Sequence, residues 1–409
     1  MKLSNIALRN ITRNKKRSIL SGLAIAIAAM SIVLLYSYIG GMKNDLENNL
    51  HTYYTGEIRI QHEEFEKYDY LNPLHLRIES YTDILNELDK IADIKEISPR
   101  INFPTQIYRD EETYNAFVTG VDLMREIDYQ PLEESLISGR LPEAEMNEIL
   151  IGEELALELE VDLNDKISLW TMTMRRSSNL ITYLITGIIK FPVQDYNKRI
   201  IMSINRAQRL IKTDDSVLEI IMKLEDEVPG IETAQSLRTL LGEMGRDDLL
   251  VESIEEMNTT YSLIKTAEIS YDFMALFFFI LASSVIVSTT MMVIFERMRE
   301  IGTIGAMGMT GPEIVRLFFL ESFFISLIGS FAGVMLGILI SIPLQIYGVD
   351  LSSAMQGVDF EISGIIKFQL DIKSTIFVFI YSFTVASLAS LFPSMRASKI
   401  EPVEALRDI

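Results

Sequence analysis

The chain contains no cysteine. That absence excludes disulfides, thiolate metal sites, a cysteine nucleophile and a lipid attached through an N-terminal cysteine. Histidine is nearly as scarce, with only His51, His62 and His75. His62-Glu63-Glu64 matches the start of a zinc-protease helix, but position 66 holds glutamate where the second histidine would stand, so no metal site is expected. No glycine is followed by lysine. A P-loop needs that pair to bring its lysine to the phosphates, so the chain is not expected to hydrolyse ATP itself. Nothing assembles into a catalytic constellation, and no cofactor is expected. Basic charge is also in short supply. Residues 43–268 hold 45 acidic and 23 basic side chains, a net of −22, against a chain total of −20. Nucleic acid, whose phosphates need a basic surface, is excluded as a partner.

What the chain does have is long runs without charge. They cover Ile19–Ile39, Phe273–Phe295, Ser322–Gly348 and Ser374–Met395. Each reaches the ~20 apolar residues that a helix needs to cross a bilayer. The first run is too long for the apolar part of a secretory signal, and its A-x-A patterns around Ala24–Ala28 sit in mid-run, so a retained span is expected. Lysine and arginine decide the orientation. Lys2, Arg9, Arg13, Lys15, Lys16 and Arg17 precede the first run. Arg297, Arg299 and Arg316 separate the second from the third, and Arg396, Lys399 and Arg407 follow the fourth. Only Lys367 and Lys373 lie near the short loop on the other side. The positive-inside rule then places both termini in the cytosol of a multi-pass protein of the cytoplasmic (inner) membrane.

The expected fold is therefore an α-helical membrane protein with four transmembrane helices and a large extracytosolic α/β domain between helices 1 and 2. Residues 1–17 form a cytosolic amphipathic interfacial helix, 18–41 the first span, and 42–268 the extracytosolic domain. Residues 269–296 are the second span with an outward stalk, 297–316 a cytosolic segment, and 317–347 the third span. An outer loop at 348–372, the fourth span at 373–395 and a cytosolic tail at 396–409 complete the chain. Within the domain, alternation predicts strands at 57–61, 74–78, 117–121, 180–190 and 217–224. Helical spacing predicts helices over Tyr81–Ile94 and Gly230–Met244. Strand and helix alternating at short range suggest small α/β layers, not a sandwich.

The stretch that organises the chain is FERMREIGTIGAMGMTGPEIVRLFFLES, from Phe295 to Ser322, followed by IGSFAGVMLG. It is short, charged at its start, rich in small residues, and lies between two apolar runs. Together with ALRNITRNKKRSIL, GRLPEAEMNEILIGEELALELEVDLNDKI and the closing SMRASKIEPVEALR, it resembles the MacB/FtsX-type ABC transporter permeases. The resemblance implies that Glu300, Ile301, Gly302, Thr303, Ile304, Gly305, Ala306, Met307 and Gly308 form a coupling helix that docks on a separate cytosolic ABC ATPase, which binds the ATP. It implies a dimer, either of identical chains or with a paralogous permease. It also divides the outer domain into two small subdomains, the outer one inserted at about 133–213.

Lipoprotein-releasing transmembrane subunits are the leading subtype, with a lipid or lipoprotein substrate drawn from the outer leaflet. MacB-like drug or peptide efflux is the alternative. These lipoprotein-releasing permeases recruit a periplasmic carrier or adaptor through a β-hairpin, and only TMTMRRSSNL is available here for that role. A membrane-anchored sensor without transport is the reading from another class, and it has no need of a docking helix. Gly329, Gly333 and Gly337 put glycine on one face of the third span, where another helix can approach closely, within the chain or across a dimer. Glu321 is a carboxylate near membrane depth, either functional or paired at the interface. The spans offer few polar groups for a hydrophilic path. An apolar groove at their outer ends, lined by Leu35, Ile39, Met274 and Phe278, is the expected substrate contact.

Overall fold

The computed structural model describes residues 3–13, 15–68, 71–109, 112–296, 298–351, 363–391 and 394–395, with the backbone alone at residue 17 and at a set of positions between 258 and 301. Two compact units emerge. One comprises Met1–Asn44, Ala267–Asp350 and Ile366–Ile409, and the other Asp45–Thr266 with Leu351–Ile365.

Helix α1 (Leu3–Arg13) and helix α2 (Lys15–Asn49) open the chain, and α2 loosens into a π-helical turn at Leu50–Tyr54. The second unit then runs through β1 (Ile58–His62), α3 (Phe65–Tyr68), β2 (Ile78–Glu79), α4 (Tyr81–Leu88), β3 (Ile94–Arg109), β4 (Glu112–Val121) and α5 (Leu123–Tyr129). It continues with β5 (Leu136–Gly139), β6 (Glu148–Gly152), α6 (Glu153–Glu158), β7 (Lys166–Met172), β8 (Ser178–Ile189) and a 3-10 turn at Asp195–Lys198. Strand β9 (Arg199–Ser203), α7 (Ile204–Ile211), β10 (Ser216–Val217), β11 (Glu219–Leu224), α8 (Gly230–Glu243) and β12 (Leu249–Ser253) close it.

Ten strands make one sheet in the order β12-β1-β11-β3-β4-β9-β6-β8-β5, with β7 bridging β3 and β8. Strands β3 and β4 carry the sheet from one end to the other. The first half of β3 pairs with β11 (Met222 opposite Ile97) and its second half with β7 (Ile107 opposite Leu169). The sheet is continuous across the region expected to divide into two subdomains, and one apolar cluster runs from Ile58 and Ile84 through Phe103 to Ile149 and Ile185.

Some expected elements shift. The strand expected over 74–78 is a strand only at Ile78–Glu79. Before it, Leu74 N–H bonds Asn72 O and Leu76 N–H bonds Pro73 O, which are turn bonds that take these groups out of any ladder. The helix expected to Ile94 ends at Leu88, where the amides of Lys90 and Ile91 fold back onto Glu87 O and Leu88 O. The strand expected over 217–224 breaks at Leu218, whose N–H bonds Arg100 O.

The π-helical turn leaves carbonyls without helical donors, as every helix end does. Arg100 on β3 donates from one terminal nitrogen to Tyr53 O at 2.8 Å and from the other to Thr52 O at 3.1 Å. Tyr129 Oη donates to His51 O at 2.9 Å. Glu126 on α5 neutralises Arg100 at 2.7 Å, and Ser98 Oγ closes the cluster with a short bond to the same carboxylate. Burial pulls the Arg100 pKa down, but the Glu126 carboxylate, with Tyr196 and Tyr129, outweighs it and holds the guanidinium above its ordinary value. On the far side of the turn, Asp45 accepts from Ser363 N–H at 2.6 Å and from Ser363 Oγ at 2.7 Å.

The first unit resumes within α9 (Asn258–Glu296), at Ala267, and continues with α10 (Met298–Ala306), α11 (Gly311–Tyr347) and α12 (Ile372–Ala389). Helix α9 starts before the charge-free run at 273–295 and stays helical through it. Among the described residues, Ser18–Tyr54, Gly311–Tyr347 and Ile372–Ala389 are long and apolar enough to cross a membrane. Arg297 and the tail 396–409, expected in the cytosol, lie outside the described residues.

Candidate functional site

The segment between α9 and α11 is built from small residues because it must turn sharply. Helix α10 ends as Met307 N–H bonds Thr303 O at 3.1 Å, and Gly308 takes φ +96°, a left-handed conformation that favours glycine. Thr310 then caps α11, with its N–H donating to Glu313 Oε2 at 3.0 Å and its hydroxyl donating to the same oxygen at 2.7 Å. Ile304 and Met309 pack back on Ile314 and Phe318.

This packing sorts the expected coupling residues. Glu300, Thr303, Ala306, Met307 and Gly308 are exposed, and Met307 reaches 75 % exposure. Ile304 and Gly305 are half-buried. Gly302 is buried, so it supports the helix from behind and is not part of the outward surface. The side chain of Ile301 lies outside the described residues. Ala306, Met307 and Gly308 together form the exposed surface of the turn.

The glycine face packs on α2 of the same chain. A Cβ at Gly329 would stand 2.8 Å from Gly22 O, one at Gly333 2.3 Å from Ala26 O, and one at Gly337 2.8 Å from Val33 Cβ. No other residue type fits this contact, in which two backbones touch. The seam between α11 and α12 is polar inside. Ser326 and Ser387 share a hydrogen bond of 2.8 Å with both side chains buried. Ser387 also donates to Phe383 O, one turn back on its own helix.

Glu321 is 2 % exposed and accepts from Asn10 Nδ2 at 2.7 Å. Helix α1 therefore packs on α11 through Ala7 and Asn10, and the carboxylate expected near membrane depth is held inside the bundle. The sequence did signal Glu321. Asn10 had no signal beyond its place in an amphipathic helix.

The expected substrate residues are only partly brought together. Ile39 is buried and lines a cavity of about 230 Å3 with Val33, Tyr36, Lys43, Asp272 and Ser374. Lys43 Nζ and Asp272 Oδ1 pair across it at 3.1 Å. Leu35 and Met274 are half-buried outside this lining, and the side chain of Phe278 lies outside the described residues. The cavity is thus more polar than the expected groove. Among the described residues no cluster of side chains could hold a metal ion.

Two family profiles match the chain. The MacB-like periplasmic core domain covers residues 18–240, and the FtsX-like permease C-terminal domain covers residues 273–402. The lipoprotein-releasing system transmembrane protein LolC of Neisseria meningitidis is 24% identical over 64% of this chain and 65% of its own length. An uncharacterised ABC transporter permease of Methanocaldococcus jannaschii is 23% identical over 100% of this chain and 98% of its own. The macrolide export ATP-binding/permease protein MacB of Pasteurella multocida is 22% identical over 98% of this chain, which spans 59% of that relative. Among solved structures, the periplasmic region of MacB from Actinobacillus actinomycetemcomitans matches with a TM-score of 0.38 and 15% identity over 50% of this chain and 92% of that one. With one profile covering more than half of the sequence and the other most of its helical remainder, the chain belongs to the MacB/FtsX-type family of ABC transporter permeases.

Proposed function

We propose that this chain is the permease subunit of a transporter in which a separate cytosolic ABC ATPase docks on Ala306–Gly308 and drives movement of the extracytosolic domain. The observation that carries this reading is the outward small-residue turn between α10 and α11, capped on one side by Gly308 and on the other by Thr310. Two such subunits, identical or paralogous, work together, each crossing the membrane four times with the 273–295 run as the second span and both termini inside. A sensor without transport would have no use for that turn.

The substrate is an amphiphile taken from the outer leaflet, with lipoproteins as the leading class. In support, Ser326 and Ser387 are hydrogen-bonded to each other inside the bundle and do not line a wet path. A hydrophilic solute crossing the hydrocarbon layer needs such a path, since each unsatisfied polar group there costs several kcal/mol. Macrolide export, the role that the name of the MacB relative gives, is the second reading and is favoured by alignment over 98% of this chain. The test is reconstitution of the chain with its ATPase in proteoliposomes. Stimulation of ATP hydrolysis by a triacylated lipoprotein, with release of that lipoprotein, supports the first reading. Stimulation by a macrolide alone supports the second, and stimulation by neither supports the sensor.

A further inference from the structure

We propose that the extracytosolic unit carries its own binding cleft for an anionic amphiphile, on the outward face of the sheet where β7, β3, β4 and β9 lie side by side. The two faces of these strands differ in burial. Inward, Phe103, Ile107, Ala116, Val118 and Leu169 are buried in the core. An outward face that meets water should be polar. Here large apolar side chains stand among the polar ones: Phe117 is 47% exposed, Met172 is 49% exposed, and Trp170 is half-buried.

The register puts these side chains together. Trp170 lies opposite Gln106, which lies opposite Asn115, and one step along, Phe117 lies between Pro104 and Arg199. The loop Leu71–His75 and the turn Asp195–Lys198 wall the face into a cleft of about 1110 Å3. That volume exceeds the roughly 300–1,000 Å3 of pockets for drug-sized molecules, which leaves room for a long chain.

Charge selects the occupant. Among the described residues, the charged side chains lining the cleft are Arg176, Lys198 and Arg199 with the acid Asp195. They stand in a segment where acidic residues outnumber basic ones by 45 to 23. Arg199 is fixed in place, its guanidinium carbon 4.6 Å from the ring centre of Tyr196, 5.7 Å from Tyr54 and 5.8 Å from Phe117, with Asp195 bonded at 3.1 Å. Lys198 sits 3.5 Å from Glu154. The Lys198 pair is exposed and weak, so a phosphate-type head can compete for that cation beside the fixed Arg199. An apolar floor beside a fixed basic edge fits a molecule with an acyl chain and an anionic head. The proposal goes beyond the transport reading and does not depend on it, because binding is measured without an ATPase.

Trp170 is the only tryptophan of the chain and therefore reports the cleft directly. The full chain in phosphatidylcholine nanodiscs is titrated with lysophosphatidylglycerol below its micellar concentration. A saturable blue shift of Trp170 emission is expected. Lysophosphatidylcholine should require about tenfold more lipid, and glycerol 3-phosphate, a head without a chain, should give no shift. The double variant R176E/K198E should raise the midpoint about tenfold, and Arg176→Gln alone about threefold, with the emission maximum before lipid unchanged. An absent shift, an equal response to both lysolipids, a response to glycerol 3-phosphate alone, or variants that titrate like the parent overturn the proposal. So does a Trp170 that ignores lipid but is shielded by a soluble carrier protein, which would assign the cleft to a protein contact.

Discussion

The Arg100 guanidinium and the Glu126 carboxylate meet at 2.7 Å with side-chain exposures of 1% and 0%. They are ion-pair partners, with neutral hydrogen-bonding groups around them and the charges of Glu219 and Lys223 nearby. Replacing Glu126 with Ala should cost about 3–5 kcal/mol, because an uncompensated guanidinium stays buried. The pair Arg100→Met with Glu126→Leu should recover only part of this, since the carbonyls of Thr52 and Tyr53 lose their donors as well. Chemical denaturation of the purified chain, with both single variants and the double variant, checks this.

Acid should loosen the other end of the sheet. Glu148 accepts two bonds from Arg140, at 2.6 and 2.8 Å, and one from the Glu143 amide at 2.9 Å. The Arg140 bonds, against some desolvation, hold its carboxyl below the usual glutamate range. A folded-state pKa below the unfolded one means that this stability is complete above the unfolded value and is lost as pH falls through the folded one. Glu148→Gln should therefore cost about 1–2 kcal/mol at neutral pH and progressively less toward pH 3. Thermal unfolding of parent and variant across that range gives the difference. A pH-independent difference would show that the carboxylate charge is not the cause.

The contact between α2 and α11 lies within one chain, and a cysteine-free protein makes this easy to establish. Ser37 on α2 and Ser341 on α11 are buried with their hydroxyls 3.4 Å apart, close enough for a cysteine pair at these positions to bond. The double variant Ser37→Cys/Ser341→Cys should oxidise within the monomer. A disulfide-linked dimer on a denaturing gel would place the glycine face at a subunit seam instead. Gly333→Leu should unfold the bundle in the isolated subunit, as its side chain would meet Ala26 O from 2.3 Å away.

The helical unit could be read from the sequence because charge-free runs long enough to span a bilayer have few other fates. The sheet could be read only in pieces. Strand β3 was invisible because Pro99 and Pro104 interrupt it and because Asn102 and Gln106 stand on its outward face. Long pairing with β4 overrides those local signals. For the site, glycine spacing identified a close helix contact but could not name α2 as the partner. Likewise the motif around Gly302 led to the expectation of a docking segment, yet only packing against Ile314 and Phe318 shows which side of the short α10 faces out. Asn10 meets Glu321 across 311 positions of sequence, a relation that no local pattern encodes.

The central claim is that the turn after α10 receives the ATPase, and the exposure of Ala306 and Met307 makes it testable at single residues. Ala306→Trp is compared with Ile328→Trp, a position 64% exposed on α11. Both variants are purified from membranes, and the amount of ABC ATPase retained and its rate of ATP hydrolysis are measured. The account predicts that Ala306→Trp inserts and unfolds like the parent but loses the ATPase and its stimulation, while Ile328→Trp keeps both. An Ala306→Trp chain that binds and stimulates the ATPase normally would contradict it.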